Sequence, residues 1–208
     1  MAIMPAKAKI DRTDQSSDRR NQILAIAARL FASHGYAATT VRDIADEAGI
    51  LSGSLYHHFS SKEAIFQEIL RSFMTGLLEQ IEEIAAEGRG PRETLDGLIR
   101  TAFRVMEEQS DAVGLYQNES TILQSQVGFE FLSEGSARIE HFWREQIEAG
   151  QAQGVFRDSF DSAIVYRFVR DAVWSTVRWY RPNGRYTAET LTQNFLDLFH
   201  SGVLAEES

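Results

Sequence analysis

Residues 38–66, ATTVRDIADEAGILSGSLYHHFSSKEAIF, constrain the chain more than any other stretch. Thr40 followed by Asp43 has capping-box spacing, with Asp in place of the usual Glu. It predicts a short helix from Val41 to Ala48, whose apolar face is Val41, Ile44, Ala45 and Ala48. Gly49 stands where a sharp turn needs positive φ. Ser52 can cap a second short helix running to about Phe59, and Ser60 with Glu63 repeats the capping-box spacing at the start of a third helix. A short helix, a tight glycine turn and another short helix make a helix-turn-helix arrangement. Ala45 is small where two helices must cross closely, and Ile44 and Leu55 can bury against the helix that precedes them.

The second short helix carries Ser52, Gly53, Ser54, Leu55, Tyr56, His57 and His58. Leu55 apart, these residues are small or hydrogen-bonding. Small side chains let a backbone approach a groove closely, and Ser, Tyr and His can donate to phosphates or base edges. Lys62 adds a cation and helix N–H groups for a phosphate, and Arg42 offers a second cation. The competing reading is a turn between ordinary packing helices, with Tyr56 half-buried in the core.

Elsewhere the periodicity is helical. Residues 1–18 lack it and are expected to form a flexible arm. From Arg19 the apolar positions Ile23, Leu24, Ile26, Ala27, Leu30 and Phe31 recur at three-and-four spacing, and Gly35 ends that helix. Residues 63–86 form one long amphipathic helix along Ile65, Ile69, Phe73, Leu77, Ile81 and Ile84. Pro91 suits the first turn of a helix of about 18 residues. Asp111 can open the next, and a further one runs to about Gln153. The expected class is all-α: an N-terminal three-helix bundle with the helix-turn-helix (19–62), then a larger helical domain (63–208).

Charge separates the same two regions. Residues 1–62 hold eight Lys/Arg against six Asp/Glu, a net of +2, while the rest carries −11 of the total −9. A slightly basic head on an acidic body fits a head that meets a polyanion, although acidic surfaces also simply favour solubility. The absence of cysteine excludes disulfide frameworks, cysteine metal sites and thiol nucleophiles. No apolar run approaches a membrane span or a secretory signal, so a cytoplasmic location is expected.

An enzyme is the rival class. His34, His57, His58, His141 and His200 are scattered, without an HExxH or Glu-x-x-His pair. There is no G-x-S-x-G, P-loop or dinucleotide fingerprint. No catalytic residue, metal site or cofactor is therefore assigned. A pure acyl-CoA carrier is a third possibility, but it would need the body without the head and has no use for Thr40 to Lys62.

Residues 161–181, DSAIVYRFVRDAVWSTVRWYR, have apolar residues on more than one face, as a helix buried on two sides would. In a dimer of DNA-binding heads, one side would face a pocket and the other the second subunit, with a helix over 187–200 completing a four-helix interface. The alternative is a monomer with this helix at its core. A head so small contacts too few base pairs alone for specific affinity, which favours the dimer. Arg170 shares a face with Trp174 four residues on. A buried arginine needs an anionic partner, either internal (Asp171, Asp161 or a neighbouring Glu) or a bound carboxylate or phosphate. Asp171, the next residue, should point to a different face.

The stretch from Arg19 to about Leu70, with LFASHGY, TTVRDIADEAG and LYHHFSSKEA, resembles the DNA-binding domain of the TetR family of bacterial repressors. The resemblance implies an all-helical homodimer whose heads bind palindromic operator DNA and whose bodies hold a ligand pocket and the dimer interface. Thr40, Arg42, Ser52, Ser54, Tyr56, His57 and Lys62 match positions that commonly contact DNA in that family, whereas Leu55 matches a buried one. TVRDIADEAGILSGSLYHHFSSKE with YRFVRDAVWSTVRWYRP is similar to a subgroup that represses cholesterol-catabolism genes. That likeness implies an amphipathic, anionic effector, a steroid-derived acyl-CoA thioester, and favours a ligand as the partner of Arg170. Trp174, Tyr166, Trp143 and Tyr116 are the aromatic candidates for its apolar part.

Overall fold

A computed structural model describes residues 12–123, 126–181 and 184–204 of the 208. Among these, nine α-helices account for almost all regular structure, and the only pairing of extended backbone is a single antiparallel bridge, Phe156 with Leu204. The chain divides into two units between Ile69 and Leu70, a point inside the fourth helix.

The first unit holds α1 (Arg12–His34), α2 (Val41–Glu47), α3 (Ser52–Leu55) and the opening turns of α4 (Lys62–Ala86). Helix α1 begins at Arg12, so residues 12–18, expected in a flexible arm, are helical; residues 1–11 lie outside the described ones. The capping box forms as predicted: the Asp43 backbone N–H donates to Thr40 Oγ1 at 3.1 Å, and the Thr40 N–H donates to Asp43 Oδ2 at 2.8 Å. Gly49 takes φ +65° and reverses the chain between α2 and α3. Two caps differ from expectation. Leu51, not Ser52, is the N-cap residue of α3, which ends at Leu55 because residues 56–58 close as a turn. The cap of α4 is Ser61 rather than Ser60, its hydroxyl accepting from the Ala64 N–H at 3.0 Å. Ile23, Ala27, Phe31, Ile44, Ala45, Leu55, Ile65 and Phe66 are sealed from water, so the three helix faces predicted to be apolar meet in one core.

In the second unit, α5 (Pro91–Glu108) packs against α6 (Ser110–Leu123), α7 (Glu130–Ala152), α8 (Ser162–Ser175) and α9 (Ala188–Val203). Helix α5 is the central element, burying Leu95, Leu98, Ile99, Phe103, Val105 and Met106. Each such side chain contributes on the order of 1.5–3 kcal/mol through burial. The segment 161–181 is not one continuous helix: α8 tightens into a 3-10 turn over Thr176–Arg178. Asp161 caps α8, accepting from the Ala163 and Ile164 N–H groups, and Thr187 caps α9. One face of α8 is buried through Tyr166, Val169, Val173 and Trp174, while Ile164 and Phe168 stand in solvent. At the C-terminal end, Arg157 donates from Nε to the Leu204 carbonyl at 2.9 Å and from its backbone N–H to the Val203 carbonyl at 2.9 Å. No helix among the described residues is long and apolar enough to cross a membrane.

Candidate functional site

The first unit presents a polar tip. Leu55 is fully buried and fastens α3 to the core, which turns the rest of α3 and its following turn outward. Tyr56 is 56 % exposed and Arg42 84 %; Thr40, Gly53 and His57 are exposed, and Ser52 and Ser54 half-exposed. The side chains of Ser52, Ser54, Tyr56 and His57 make no hydrogen bond to other described residues, so their donors and acceptors face solvent. Arg42 pairs only loosely, 3.6 Å from Asp46 on the same helix. Hydrogen bonding from the Thr40 hydroxyl and then its N–H holds the Asp43 carboxyl below the usual carboxylate range.

One expected member of this tip behaves differently. Lys62 directs its ammonium inward, donating to the Tyr36 and Thr39 carbonyls at 2.8 Å each and lying 4.3 Å from the Tyr36 ring centroid. One tip residue was missed: Leu51 is 79 % exposed at the entry to α3, and its side chain can only make apolar contacts, such as with a thymine methyl. An exposed leucine leaves no periodic signal, since the eye assigns it to the core.

The second unit encloses a cavity of about 530 Å³ walled by α4, α5, α6, α7 and α8. All five residues expected to meet a ligand line it: Tyr116, Trp143, Tyr166, Arg170 and Trp174. Phe73 meets Trp174 edge-on and Tyr116 at a tilt, with centroids 6.2 and 5.7 Å away, and Trp143 lies 6.1 Å from Tyr166. Ser136 donates to the Leu132 carbonyl at 2.6 Å, so the Tyr116 hydroxyl, 2.6 Å from Ser136 Oγ, is the donor of that pair. Burial pushes the Tyr166 hydroxyl up to about 12, which keeps it neutral.

Asp171 does not point away from Arg170. Its Oδ1 accepts from Arg170 Nε at 2.8 Å, and both residues line the cavity. Burial disfavours the Arg170 charge, but Asp171 and the Tyr166 hydroxyl outweigh it and its pKa is raised. The arginine therefore has an internal partner that leaves part of its fork open. Ser136 and Glu140 also line the cavity and escaped notice in the sequence, although they precede Trp143 by seven and three residues and so share its helix face. No group of three metal-ligating side chains occurs among the described residues.

Residues 23–69 match the family described as bacterial regulatory proteins, tetR family, and residues 88–203 match the tetracyclin repressor-like C-terminal domain. The HTH-type transcriptional repressor KstR2 of Rhodococcus jostii is 45 % identical over 193 residues, spanning 93 % of this chain and 95 % of that one. The solved ketosteroid transcriptional regulator KstR2 of Mycobacterium tuberculosis superposes with a TM-score of 0.88 at 42 % identity, covering 90 % of this chain and 96 % of its own. AibR, solved in complex with isovaleryl coenzyme A and operator DNA, shares the fold at a TM-score of 0.78 and 24 % identity, over 86 % of this chain and 97 % of its own.

Proposed function

The chain belongs to the TetR family as a transcriptional repressor, and from that premise we propose that it binds a palindromic operator as a homodimer and releases it on binding an amphipathic, anionic effector. The observation that carries the ligand half is the convergence of Tyr116, Trp143, Tyr166, Arg170 and Trp174 on one cavity. Its volume lies in the ordinary range for ligand pockets. Aromatic walls suit a fused-ring or acyl body, and the Arg170 guanidinium suits an oxyanion. The likeness to ketosteroid regulators supports a steroid-derived acyl-CoA thioester, whose ring end fits such a cavity while its nucleotide end remains outside. The second reading is a regulator of another pathway that answers to a different apolar or fatty acyl-CoA; AibR, which shares the fold, was solved in complex with isovaleryl coenzyme A, and that supports this reading.

On the DNA side, Ser52, Ser54, Tyr56 and His57 enter a major groove, and Thr40 and Arg42 meet the flanking phosphates. Two heads bind half-sites about one helical turn, roughly 34 Å, apart. The interface is formed by α8 and α9, which turn Ile164 (51 %), Phe168 (72 %) and Leu198 (76 % exposed) outward. Side chains this large and this exposed on two helices need a cover, and a second copy supplies a self-complementary one. Effector binding lowers operator affinity by its differential affinity for the free and DNA-bound conformations.

The experiment has two arms. Denaturing the purified protein and weighing any released small molecule identifies the effector class, and an operator gel shift titrated with acyl-CoA thioesters and their free acids tests release. Failure of every thioester to dissociate the complex would sink the effector assignment while leaving operator binding intact.

A further inference from the structure

The head has cations on both sides of its reading helices, yet three of them donate to backbone carbonyls of the head itself. Lys62 bridges the Tyr36 and Thr39 carbonyls, just before the Thr40 cap of α2. Arg19 donates from Nη2 to the Ala48 carbonyl at 2.7 Å, just after α2 and one residue before the Gly49 turn. Arg20 donates from Nη1 to the His58 carbonyl at 2.9 Å, just after α3, while its Nη2 pairs with Glu68 at 2.5 Å and its guanidinium lies 4.2 Å from the Phe59 ring centroid. The segments before α2, after α2 and after α3 are thus each held by a cation from a flanking helix.

We infer that Lys62 is a positioning residue for operator recognition and not a phosphate ligand, acting together with Arg19 and Arg20. The inference rests on reading the tip as the operator surface. Its ammonium has three N–H donors, two of which meet carbonyls, and the Tyr36 ring covers the charge. With two donors on carbonyls and the Tyr36 ring beside the charge, the ammonium already has its partners, and a phosphate that drew it outward would release the loop that sets Thr40 and Arg42. Tyr36 in turn packs on Phe31 and Phe66 at 5.3 and 4.4 Å between centroids, so the loop position is referred directly to the core. Arg42, 84 % exposed, is the most outward of the paired head arginines.

Salt dependence separates the two roles, because each neutralised phosphate adds about 0.9 to the slope of log affinity against log salt. The probes are a duplex selected from a random pool by the wild-type protein and an unrelated duplex of equal length. For Lys62→Met the selected duplex should bind roughly tenfold more weakly, the scale of one lost charge-assisted hydrogen bond. The slope and the affinity for the unrelated duplex should stay as in wild type. Lys62→Gln, which keeps two N–H donors without the charge, should recover part of the lost affinity at the same slope. If Lys62→Met fails to fold by circular dichroism, the Gln variant decides alone through its slope.

A slope shallower by about 0.9 per subunit, with equal loss on both duplexes, would overturn the inference and make Lys62 a phosphate ligand. Unchanged affinity in both variants would also overturn it. A wild-type protein that selects no duplex would remove the repressor reading itself, and the inference with it.

Discussion

Arg170 Nε and Asp171 Oδ1 lie 2.8 Å apart, although the two residues are neighbours on α8 and their Cα–Cβ bonds diverge. Both side chains meet at the cavity wall. Asp171 thereby orients the guanidinium and competes with any anionic ligand for it.

That competition sets opposite expectations for the two side chains. Arg170→Met should leave operator affinity unchanged and raise the effector concentration for half-release by roughly ten- to a hundredfold, the range of a lost charged hydrogen bond. Asp171→Asn should lower that concentration. Gel shifts titrated with an acyl-CoA panel measure both, and loss of operator binding in Arg170→Met would show the residue to be structural.

Acid should loosen the head through Asp43. Its carboxyl titrates below the usual range because the Thr40 hydroxyl and N–H hold the ionised form. A depressed folded value means that the stabilisation is complete above the unfolded value of about 3.9 and is lost as pH falls through the folded one. Asp43→Asn should therefore be less stable than wild type near neutrality and converge with it below about pH 4. Thr40→Ala should cost about 1 kcal/mol, a Tm drop of roughly 2–4 °C in a chain of this size. Thermal melts over a pH series read out both.

Phe168 tests the subunit contact. It is 72 % exposed on α8, so Phe168→Glu leaves the fold of the subunit intact. The variant should raise the dimer dissociation constant by at least about thirtyfold, the effect of removing a central anchor. Sedimentation equilibrium would show monomer, and operator binding would weaken accordingly. A dimer of unaltered affinity would place the interface elsewhere.

Gly150 measures how tightly the second unit is packed. A Cβ there would fall 2.1 Å from a ring carbon of Phe156, which is itself buried. Gly150→Ala should destabilise by about 1–3 kcal/mol despite the gain of up to about 1 kcal/mol in helix propensity. Adding Phe156→Leu should restore part of the loss in denaturant titrations.

What could be read from the residues was whatever depends on local spacing. The Thr40–Asp43 cap, the Gly49 turn, Pro91 at the start of α5 and the apolar faces of the head helices all follow from contacts within a few positions. The five residues that line the cavity were named through the family resemblance, and only the four-residue spacing of Arg170 and Trp174 placed two of them on one face from the residues themselves. Illegible were the contacts that depend on where distant segments come to rest. Lys62 looked like a surface cation until the Tyr36 and Thr39 carbonyls, more than twenty residues earlier, folded under it. Ser60, Ser61 and Ser52 are chemically equal as caps, and only the packing of Leu55 and Phe59 decides which of them starts a helix. The segment 161–181 reads as one helix because the 3-10 tightening at Thr176 breaks no hydrophobic period.

The stitch between Arg157 and the backbone of Val203 and Leu204 bears on how the protein should be handled. Cutting the chain after Val203 would remove one acceptor of the Arg157 side chain and the bridge partner of Phe156, whose ring fills the space beside Gly150. A purification handle grafted directly onto Val203 would therefore disturb the connection between α7 and α8, and a spacer that preserves Leu204 would spare it.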